Sequence, residues 1–207
     1  MSIFSRLKSL IRRSPQEQVV GYSLPDLKSV FTPPLSGPAR PFADYPPVVP
    51  LEDVGVRAYY ATFLITPEDA DQFAALVESN FSFADEKPFN NHPVKRYSNV
   101  RKSEHLIYFN SGSEFNATTI RMVTNSVDFL GTVQDSGWAV PAPWIAFEGY
   151  KASWWGGNMQ GAQGYYNDHY FLPFFTRLSG LEKQAYYARF DASDEWIESL
   201  ELMYSDE

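Results

Sequence analysis

The sequence predicts an α+β fold, in which helices pack on a small mixed sheet and an extended proline-rich arm precedes the domain. Residues 56–65 and 105–109 are rich in apolar and β-forming side chains, which is typical of buried strands. Segments with helical periodicity follow them, including residues 181–190 and 194–204. Strand and helix signals that alternate in this way favour helices packed against one sheet.

The composition indicates a chain that folds, and it excludes several kinds of site. The 207 residues and 23.6 kDa are enough for a single well-buried core. Aromatic residues make up 16% of the chain, which excludes a wholly disordered protein. There is no cysteine, so disulfides and cysteine-ligated zinc are excluded and a cytoplasmic location is expected. No apolar run approaches the roughly 20 residues of a membrane-spanning helix, so we expect a soluble protein.

Charge is distributed unevenly along the chain. The net charge is −8, but residues 1–13 carry four of the 17 basic residues and no acid, so residues 14–207 have a net charge of −12. A field of this sign repels nucleic acid and attracts a basic protein partner. The alternative is that an acidic surface only keeps the protein in solution. The predicted carriers of the negative surface are Asp191, Asp194, Glu195, Glu198 and Glu201.

Residues 1–14 are predicted to form an amphipathic basic helix. Ile3, Phe4, Leu7, Leu10 and Ile11 recur at the spacing that gathers side chains on one helical face. Such a helix can dock on a partner or on its own domain, lie on an anionic membrane surface, or direct the chain to an organelle. A helix of about three turns is marginally stable alone, which favours docking.

Residues 15–50 are predicted to be an extended arm, and residues 51–207 a single globular domain. Nine of the 15 prolines lie in the first 50 residues. Proline lacks a backbone donor and restricts the residue before it to extended conformations. We expect this arm to wrap over the domain and its removal to leave a cooperative fold. The side chains expected to hold the arm are Tyr22, Leu24, Phe31, Phe42 and Tyr45.

Between the predicted strands, Thr66 and Pro67 give a helix start, and this helix should end near Asn80. Residues 81–103 contain several turn-forming residues and are predicted to be a loop. The loop is either a site for a phosphate or carboxylate, or a solvated segment that balances an acidic domain. Its basic residues are Lys87, Lys95, Arg96, Arg101 and Lys102.

Residues 116–133 carry both helix and strand signals, and we predict a helix. Ile120, Val123 and Val127 recur at helical spacing, although the β-branched composition favours a strand. Towards the C-terminal end, residues 166–178, 181–190 and 194–204 are predicted to be helices.

Residues 144–175 concentrate aromatic side chains, glycines and side-chain amides as no other segment does. We predict a strand over residues 144–155, a glycine-rich loop, and then the entry to a helix. Trp154 and Trp155 would point to opposite faces of that strand, so one belongs to the core and the other can be exposed. Aromatic side chains mixed with amides are typical of binding surfaces, although packing alone is the alternative. The candidate partner-binding residues here are Trp154, Trp155, Asn158, Gln160, Tyr165, Tyr166, Asn167 and Asp168.

Motifs of catalysis and cofactor binding are missing from the sequence. It contains no GxSxG elbow, HExxH helix, Walker loop or GxGxxG turn. Glu148 and Lys151 are three residues apart, which places them on opposite faces of a strand. Asp168 and His169 could form an acid–base pair, but adjacent helical residues diverge by about 100°. We therefore predict no catalytic residue, no metal ligand and no cofactor.

Together these features favour a non-enzymatic protein-binding domain, and within that class an acidic inhibitor such as a toxin-neutralising immunity protein. The expected partner is a basic protein, such as a toxin, and nucleic acid is not expected. Residues 1–13 offer a further contact with a membrane or partner. A carbohydrate- or peptide-binding module is the second hypothesis, based on Trp154 and Trp155 beside amides. A hydrolase that uses Asp168 and His169 is the third.

Overall fold

The computed structural model describes residues 18–156 and 159–204, so the predicted helix of residues 1–14 lies outside the described residues. Six strands form one sheet in the order β3-β4-β8-β7-β6-β5, and helices pack against it. The α+β prediction is confirmed. The expectation of a mixed sheet is corrected, because every neighbouring pair is antiparallel. The strands are β3 Val48–Pro50, β4 Tyr59–Ile65, β5 Ser82–Phe89, β6 His92–Asn99, β7 Glu104–Glu114 and β8 Ala117–Thr124.

A short hairpin precedes the sheet, formed by β1 Gln18–Val19 and β2 Tyr22–Ser23. The helices of the described residues are α1 Leu24–Val30, α2 Ala70–Asn80, α3 Val127–Asp135, α4 Pro143–Ala146, α5 Gly161–Tyr166, α6 Leu172–Phe175, α7 Gly180–Arg189 and α8 Asp194–Tyr204. None of these helices is long and apolar enough to cross a membrane.

Local signals place several helix ends where they were predicted. Helix α2 ends at Asn80, as expected, after a 3₁₀ turn over Pro67–Asp69. Helix α7 begins with a capping box, in which Ser179 and Glu182 satisfy each other's backbone N–H groups. The helix predicted for residues 166–178 begins earlier, at α5, and contains a π-helical turn over Asn167–Phe171 ahead of Pro173. Proline cannot donate the hydrogen bond of a regular helix, and irregular turns are common near it.

The loop predicted for residues 81–103 is a β-hairpin, formed by β5 and β6. Asn90 and Asn91 connect the strands, with φ of 48° and 64°. These are the conformations of a type I′ turn, which asparagine tolerates well. Strand β5 is at the edge of the sheet and mostly exposed, and half of its eight residues are polar or charged. Because an edge strand exposes polar and charged residues, its composition resembles that of a loop.

The helix predicted for residues 116–133 is correct only in its second half. Strand β8 lies between β4 and β7, where its β-branched side chains are buried. Helix α3 then starts after Ser126, whose Oγ accepts a hydrogen bond from the Phe129 N–H at 3.3 Å. Residues 117–124 form a strand despite their helical periodicity, because β4 and β7 on either side satisfy the backbone hydrogen-bonding groups of β8.

Hydrophobic cores lie on both sides of the sheet. On one side, Tyr108 and its neighbours pack with the C-terminal helices. On the other, Ile107 and Val123 pack with side chains from residues 18–31, among them Leu27 and Phe31. The alternation of Ile107 and Tyr108 between two cores follows from the period of a strand. The central strands of the sheet are therefore sandwiched between the C-terminal helices and the N-terminal segment.

Part of the predicted extended arm is helical. Ser23 caps α1 by accepting a hydrogen bond from the Asp26 N–H, and Pro25 occupies the first turn, where its missing donor is tolerated. Leu27 and Phe31 are 0% and 1% exposed, and Tyr45 is 2% exposed in the helical-side core. The proline content of this segment therefore concealed a short helix, whereas Phe31 and Tyr45 are buried, as expected of side chains that hold the arm to the domain. Whether residues 51–207 fold without it stays a prediction that truncation can test.

Candidate functional site

The segment that carries Trp154 and Trp155 is not a strand. It starts with the short helix α4, in which Pro143 occupies the first turn, and later forms a 3₁₀ turn over Ala152–Trp154. The aromatic composition that predicted a strand instead reflects packing between rings, since none of this segment pairs with the sheet. The two tryptophans nevertheless point in opposite directions: Trp154 is 56% exposed and Trp155 is 4% exposed.

Trp155 and Tyr166 are buried core residues of this segment. The Trp155 ring lies 5.9 Å from the ring of Phe171 and 6.0 Å from that of Tyr166. Tyr166 is completely buried and its hydroxyl donates a hydrogen bond to the carbonyl of Pro141. Burial raises the pKa of Tyr166 well above its usual value, so this hydroxyl stays protonated and continues to donate. Both residues contribute packing and not exposed contact area.

The exposed rings belong to a continuous line of five aromatic side chains, which we call the aromatic strip: Trp154, Tyr150, Phe147, Phe115 and Tyr165. Successive ring centroids are 5.6, 6.2, 5.7 and 6.4 Å apart. The two ends are exposed, with Tyr165 at 43%, and the three rings between them are partly buried. Rings at these separations attract one another, so each exposed ring is held by its neighbour.

Polar side chains accompany the two ends of the aromatic strip. The Lys151 ammonium lies 5.3 Å from the centroid of the Trp154 ring, a cation–π distance. Gln160 is exposed and directly precedes helix α5, which carries Tyr165. Asn116 donates a hydrogen bond to the carbonyl of Ile145 at 2.9 Å and so ties two loops together. Of the two amides beside the strip, that of Gln160 is exposed and that of Asn116 bonds to the backbone of Ile145.

The remaining predicted polar residues are divided between interior and surface. Asn167 is buried, and its Oδ1 accepts a hydrogen bond from the Tyr204 hydroxyl at 3.3 Å. Its Nδ2 donates to Asp168, which is exposed. Asn158 lies outside the described residues. Asn167 therefore has an internal role in joining α8 to the π-helical turn, and Asp168 lies at the surface.

Asp168 and His169 are adjacent residues of the π-helical turn. The His169 ring lies 4.5 Å from the Tyr165 ring, at the end of the aromatic strip. Asp168 accepts a hydrogen bond from the Asn167 side chain at 3.3 Å. Among residues 18–156 and 159–204, no group of three or more histidine, aspartate or glutamate side chains could hold a metal ion. His169 therefore contacts the aromatic strip, and Asp168 bonds to the neighbouring amide.

The predicted acidic residues lie on helix α8 and the turn before it. Asp194, Glu198 and Glu201 share the outward side of this helix, because residues spaced by three or four positions lie above one another. Asp191 and Glu195 flank them, and all five are exposed. In the part of the chain that the structure describes, none of the ion pairs includes any of these carboxylates. We call these five residues the acidic face.

The acidic face is adjacent to the aromatic strip. Ser199, on the flank of α8, donates a hydrogen bond to the carbonyl of Ala152 at 3.3 Å, within the turn that ends in Trp154. Trp196, from the inner side of α8, packs on Trp155 below. At Glu201, the carboxylate accepts a 2.7 Å hydrogen bond from the Tyr187 hydroxyl. Burial and this bond raise the pKa of Tyr187, so its hydroxyl remains a donor.

Three of the five basic residues of the β5–β6 region have local partners. The Lys87 ammonium lies 3.3 Å from the centroid of the Tyr22 ring, and Arg96 forms an ion pair with Asp85. Lys102 lies at the far end of the hairpin. Its ammonium pairs with the Asp128 carboxylate at 3.2 Å. Because each of these cations already has a local partner, the arrangement supports the solvated-surface reading over a phosphate site.

A cavity that the sequence did not predict lies on the side of the sheet opposite the C-terminal helices. Its volume is about 430 Å³, and its lining includes Tyr60, Phe109 and Arg121 from the sheet and Val20 from the β1–β2 hairpin. These residues come from four separate parts of the chain, so no local pattern could predict that they meet. The one sequence signal is the placement of Glu114 and Arg121 on either side of the β7–β8 turn, where they pair at 3.0 Å.

No protein-family model matches this chain, and no curated protein or solved structure is significantly similar to it.

Proposed function

We propose that this chain is a non-enzymatic protein-binding domain of the inhibitor type, such as a toxin-neutralising immunity protein, and that its partner is basic. The observation that carries the proposal is the adjacency of two surfaces. The exposed ring of Trp154 belongs to a turn that α8, the helix of the acidic face, contacts through Ser199. An aromatic anchor beside a field of one sign is the combination that gives both affinity and steering.

The aromatic strip supplies the anchors of this proposed interface. Tryptophan and tyrosine are over-represented among the residues that dominate binding energy. Tyr150 lies edge-on to Trp154 at 5.6 Å, and Phe115 lies 6.4 Å from Tyr165. Since these neighbours already restrict the exposed rings, binding would lose less side-chain entropy than it would for free side chains.

The acidic face supplies long-range attraction in this proposal. Its five carboxylates are exposed, and the ion pairs of the described residues leave them unneutralised. A field of this kind raises the association rate of a basic partner and weakens as salt is added. The same charge disfavours nucleic acid. We place the protein in the cytoplasm, where a cysteine-free chain needs no disulfide to fold.

Affinity capture from the native host, followed by binding kinetics with the captured protein, tests this proposal. Replacing Trp154 by alanine should weaken binding about thirtyfold, the effect of losing about 2 kcal/mol at an interface anchor. Phe83 is 59% exposed on the far edge strand, so Phe83→Ala is the matched control and should have no effect. Equal loss in both variants, or in neither, would argue against the aromatic strip as the interface.

The charge component has its own control. Replacing the five carboxylates of the acidic face by amides should slow association and flatten its salt dependence. The control makes the same change in net charge at exposed acids elsewhere on the domain: Glu52, Asp53, Asp71, Glu78 and Glu86. If both sets slow association equally, the attraction is a property of the whole domain and the acidic face is not the contact.

A carbohydrate- or peptide-binding module is the second candidate. The exposed rings at both ends of the aromatic strip, with Gln160 near Tyr165, resemble the stacking faces and amides that such modules use. In this case Trp154→Ala and Tyr165→Ala should each weaken binding of a short oligosaccharide or peptide, with no basic macromolecule required. Titration with an oligosaccharide panel, monitored by tryptophan fluorescence, distinguishes the candidates. Saturable quenching that Trp154→Ala removes would support the module.

A further inference from the structure

We propose that the cavity on the hairpin side of the sheet is a binding site for a small amphiphile of no net charge. Its body would be an aromatic or branched aliphatic group, and its head an amide or a hydroxyl. No residue of the aromatic strip or the acidic face belongs to the lining of this cavity. Its volume of about 430 Å³ is in the range of small-molecule sites.

The part of the cavity around Phe89 and Phe109 has a defined shape. Phe89 and Phe109 lie 6.0 Å apart there, and the β1–β2 hairpin closes the wall with Val20. The hairpin fits tightly, because a Cβ added to Gly21 would lie 2.8 Å from the Cβ of Phe89. Gly21 also has a φ of 76°, which favours glycine. The wall therefore has little freedom to collapse into the cavity.

The backbone of Val20 has an unusual conformation. Its φ is 46°, a conformation that a β-branched residue rarely adopts. Val20 and Gly21 together form the left-handed turn of the hairpin, where asparagine or glycine is the usual choice. Backbone strain of this kind is more common where a side chain is needed at a particular place. Here the side chain faces the cavity and is 6% exposed.

Phe109 also borders a polar end of the lining, which is organised around Arg121. Its guanidinium donates hydrogen bonds to Ser111 at 3.1 Å and to Glu114 at 3.0 Å. The same group lies 5.7 Å from the centroid of Phe109. Arginine has five N–H donors and these contacts use two of them, so a positioned donor group remains for a ligand. The guanidinium is therefore held in place before any ligand arrives.

Charge balance at this end selects a neutral head group. Glu114 cancels the formal charge of Arg121, and the other titratable groups in the lining are His92 and Tyr60. The His92 ring lies 5.6 Å from that of Phe109 and extends the aromatic wall. Burial raises the pKa of Tyr60, so at neutral pH it is an uncharged hydroxyl. A charged head would lose its hydration without finding an unpaired opposite charge.

An amide or hydroxyl fits both members of the Arg121–Glu114 pair. Its oxygen can accept from the guanidinium, and its N–H or O–H can donate to the carboxylate. A carboxylate head would meet repulsion from Glu114, and an ammonium would meet it from Arg121. The pair therefore discriminates by charge as well as by hydrogen bonding.

Three probes with the same indole body test the choice of head group: indole-3-acetamide, indole-3-acetate and tryptamine. We expect the neutral amide to bind the full chain at least about fivefold more tightly than either charged probe, a difference of about 1 kcal/mol. Amide ¹H–¹⁵N shifts measured by NMR should change at Ser111, Ser113 and Arg121. No saturable binding of the amide, or tighter binding of the acetate, would overturn the proposal.

A blocking variant shows whether the probe binds in the cavity. Ser113 is an exposed strand residue in the cavity lining, so Ser113→Trp should obstruct the cavity with little effect on the core and weaken indole-3-acetamide at least about tenfold. Ser82 is an exposed strand residue outside this lining, and Ser82→Trp should leave the affinity unchanged. Circular dichroism and melting temperature confirm that both variants fold. Unchanged affinity in Ser113→Trp would place the probe elsewhere and overturn the proposal.

Discussion

The indole rings of Trp155 and Trp196 lie 5.9 Å apart with an interplanar angle of 65°, and so fasten the glycine-rich segment to the last helix. This contact places Trp155 in the core. Its neighbour Trp154 lies outside the core and is 56% exposed. The adjacent tryptophans therefore have different physical roles, which substitution can separate.

Trp155→Ala should lower the free energy of unfolding by about 3–5 kcal/mol, since it leaves a cavity among packed rings. Trp154→Ala should change it by no more than about 0.5 kcal/mol, as is usual for an exposed side chain. Urea unfolding monitored by circular dichroism measures both values, and acrylamide should quench Trp154 but not Trp155. Similar destabilisation by the two substitutions would contradict this division of roles.

Gly156→Ala should destabilise the protein by about 1–3 kcal/mol, through crowding and backbone strain together. A Cβ at this position would lie 1.9 Å from the sulfur of Met203, and its φ is 86°. Gly149 has a similar φ of 77° with nothing within 4 Å of its added Cβ, so Gly149→Ala isolates the backbone strain. Thermal unfolding of the two variants gives the crowding contribution by difference. Equal melting temperatures would show that Met203 moves aside freely.

Removal of residues 1–50 should abolish cooperative unfolding. Sequence composition led to the opposite expectation, but Leu27, Phe31 and Tyr45 are almost completely buried. Loss of three such side chains, with the strand partner β3, exceeds the marginal stability of a typical domain. Removal of residues 1–17 alone keeps all of these contacts and is the matched control. A sigmoidal transition in the protein that lacks residues 1–50 would establish a domain boundary near residue 51.

Stability should fall as the pH is lowered below about 6.5, the usual pKa of histidine, because of His105. Burial, with a smaller effect from Arg96, lowers the pKa of His105 in the folded protein. The unfolded chain then binds a proton that the folded chain does not, so stability is complete above the unfolded pKa and declines as pH falls through the folded pKa.

Urea unfolding at pH 8.0 and pH 5.5 checks this pH dependence, since carboxylates titrate at lower pH. The decline should be smaller in His105→Gln, which cannot take up the proton. The side chain faces Phe31 at 6.1 Å, edge to face, so the variant also has a lower stability at both pH values. An equal decline in the wild type and the variant would assign the pH dependence to other groups.

The sequence predicted best where structure depends on neighbouring residues. Thr66 and Pro67 marked the start of a helical segment, and Asn80 its end. The outward face of α8 was predicted from helical spacing, and its acids are exposed. Capping hydrogen bonds and helical faces involve residues within about four positions of each other, so their signals lie close together in the chain.

The sequence failed where distant residues decide the outcome. The β5–β6 hairpin has the composition of a loop, and only pairing with β7 makes it part of the sheet. The cavity is assembled from residues separated by about a hundred positions, such as Val20 and Arg121. Contacts of this kind depend on topology, which local composition does not encode.

Composition and periodicity alone determined the α+β class, the acidic outer face of the last helix and a ring-rich segment before it. Tertiary structure decided which rings are exposed, that the N-terminal segment covers the second side of the sheet, and that a cavity lies between them. Trp154 and Trp155 show the reason. They are identical, adjacent side chains, and burial depends on what lies above each ring, which here is a helix almost forty residues further along the chain.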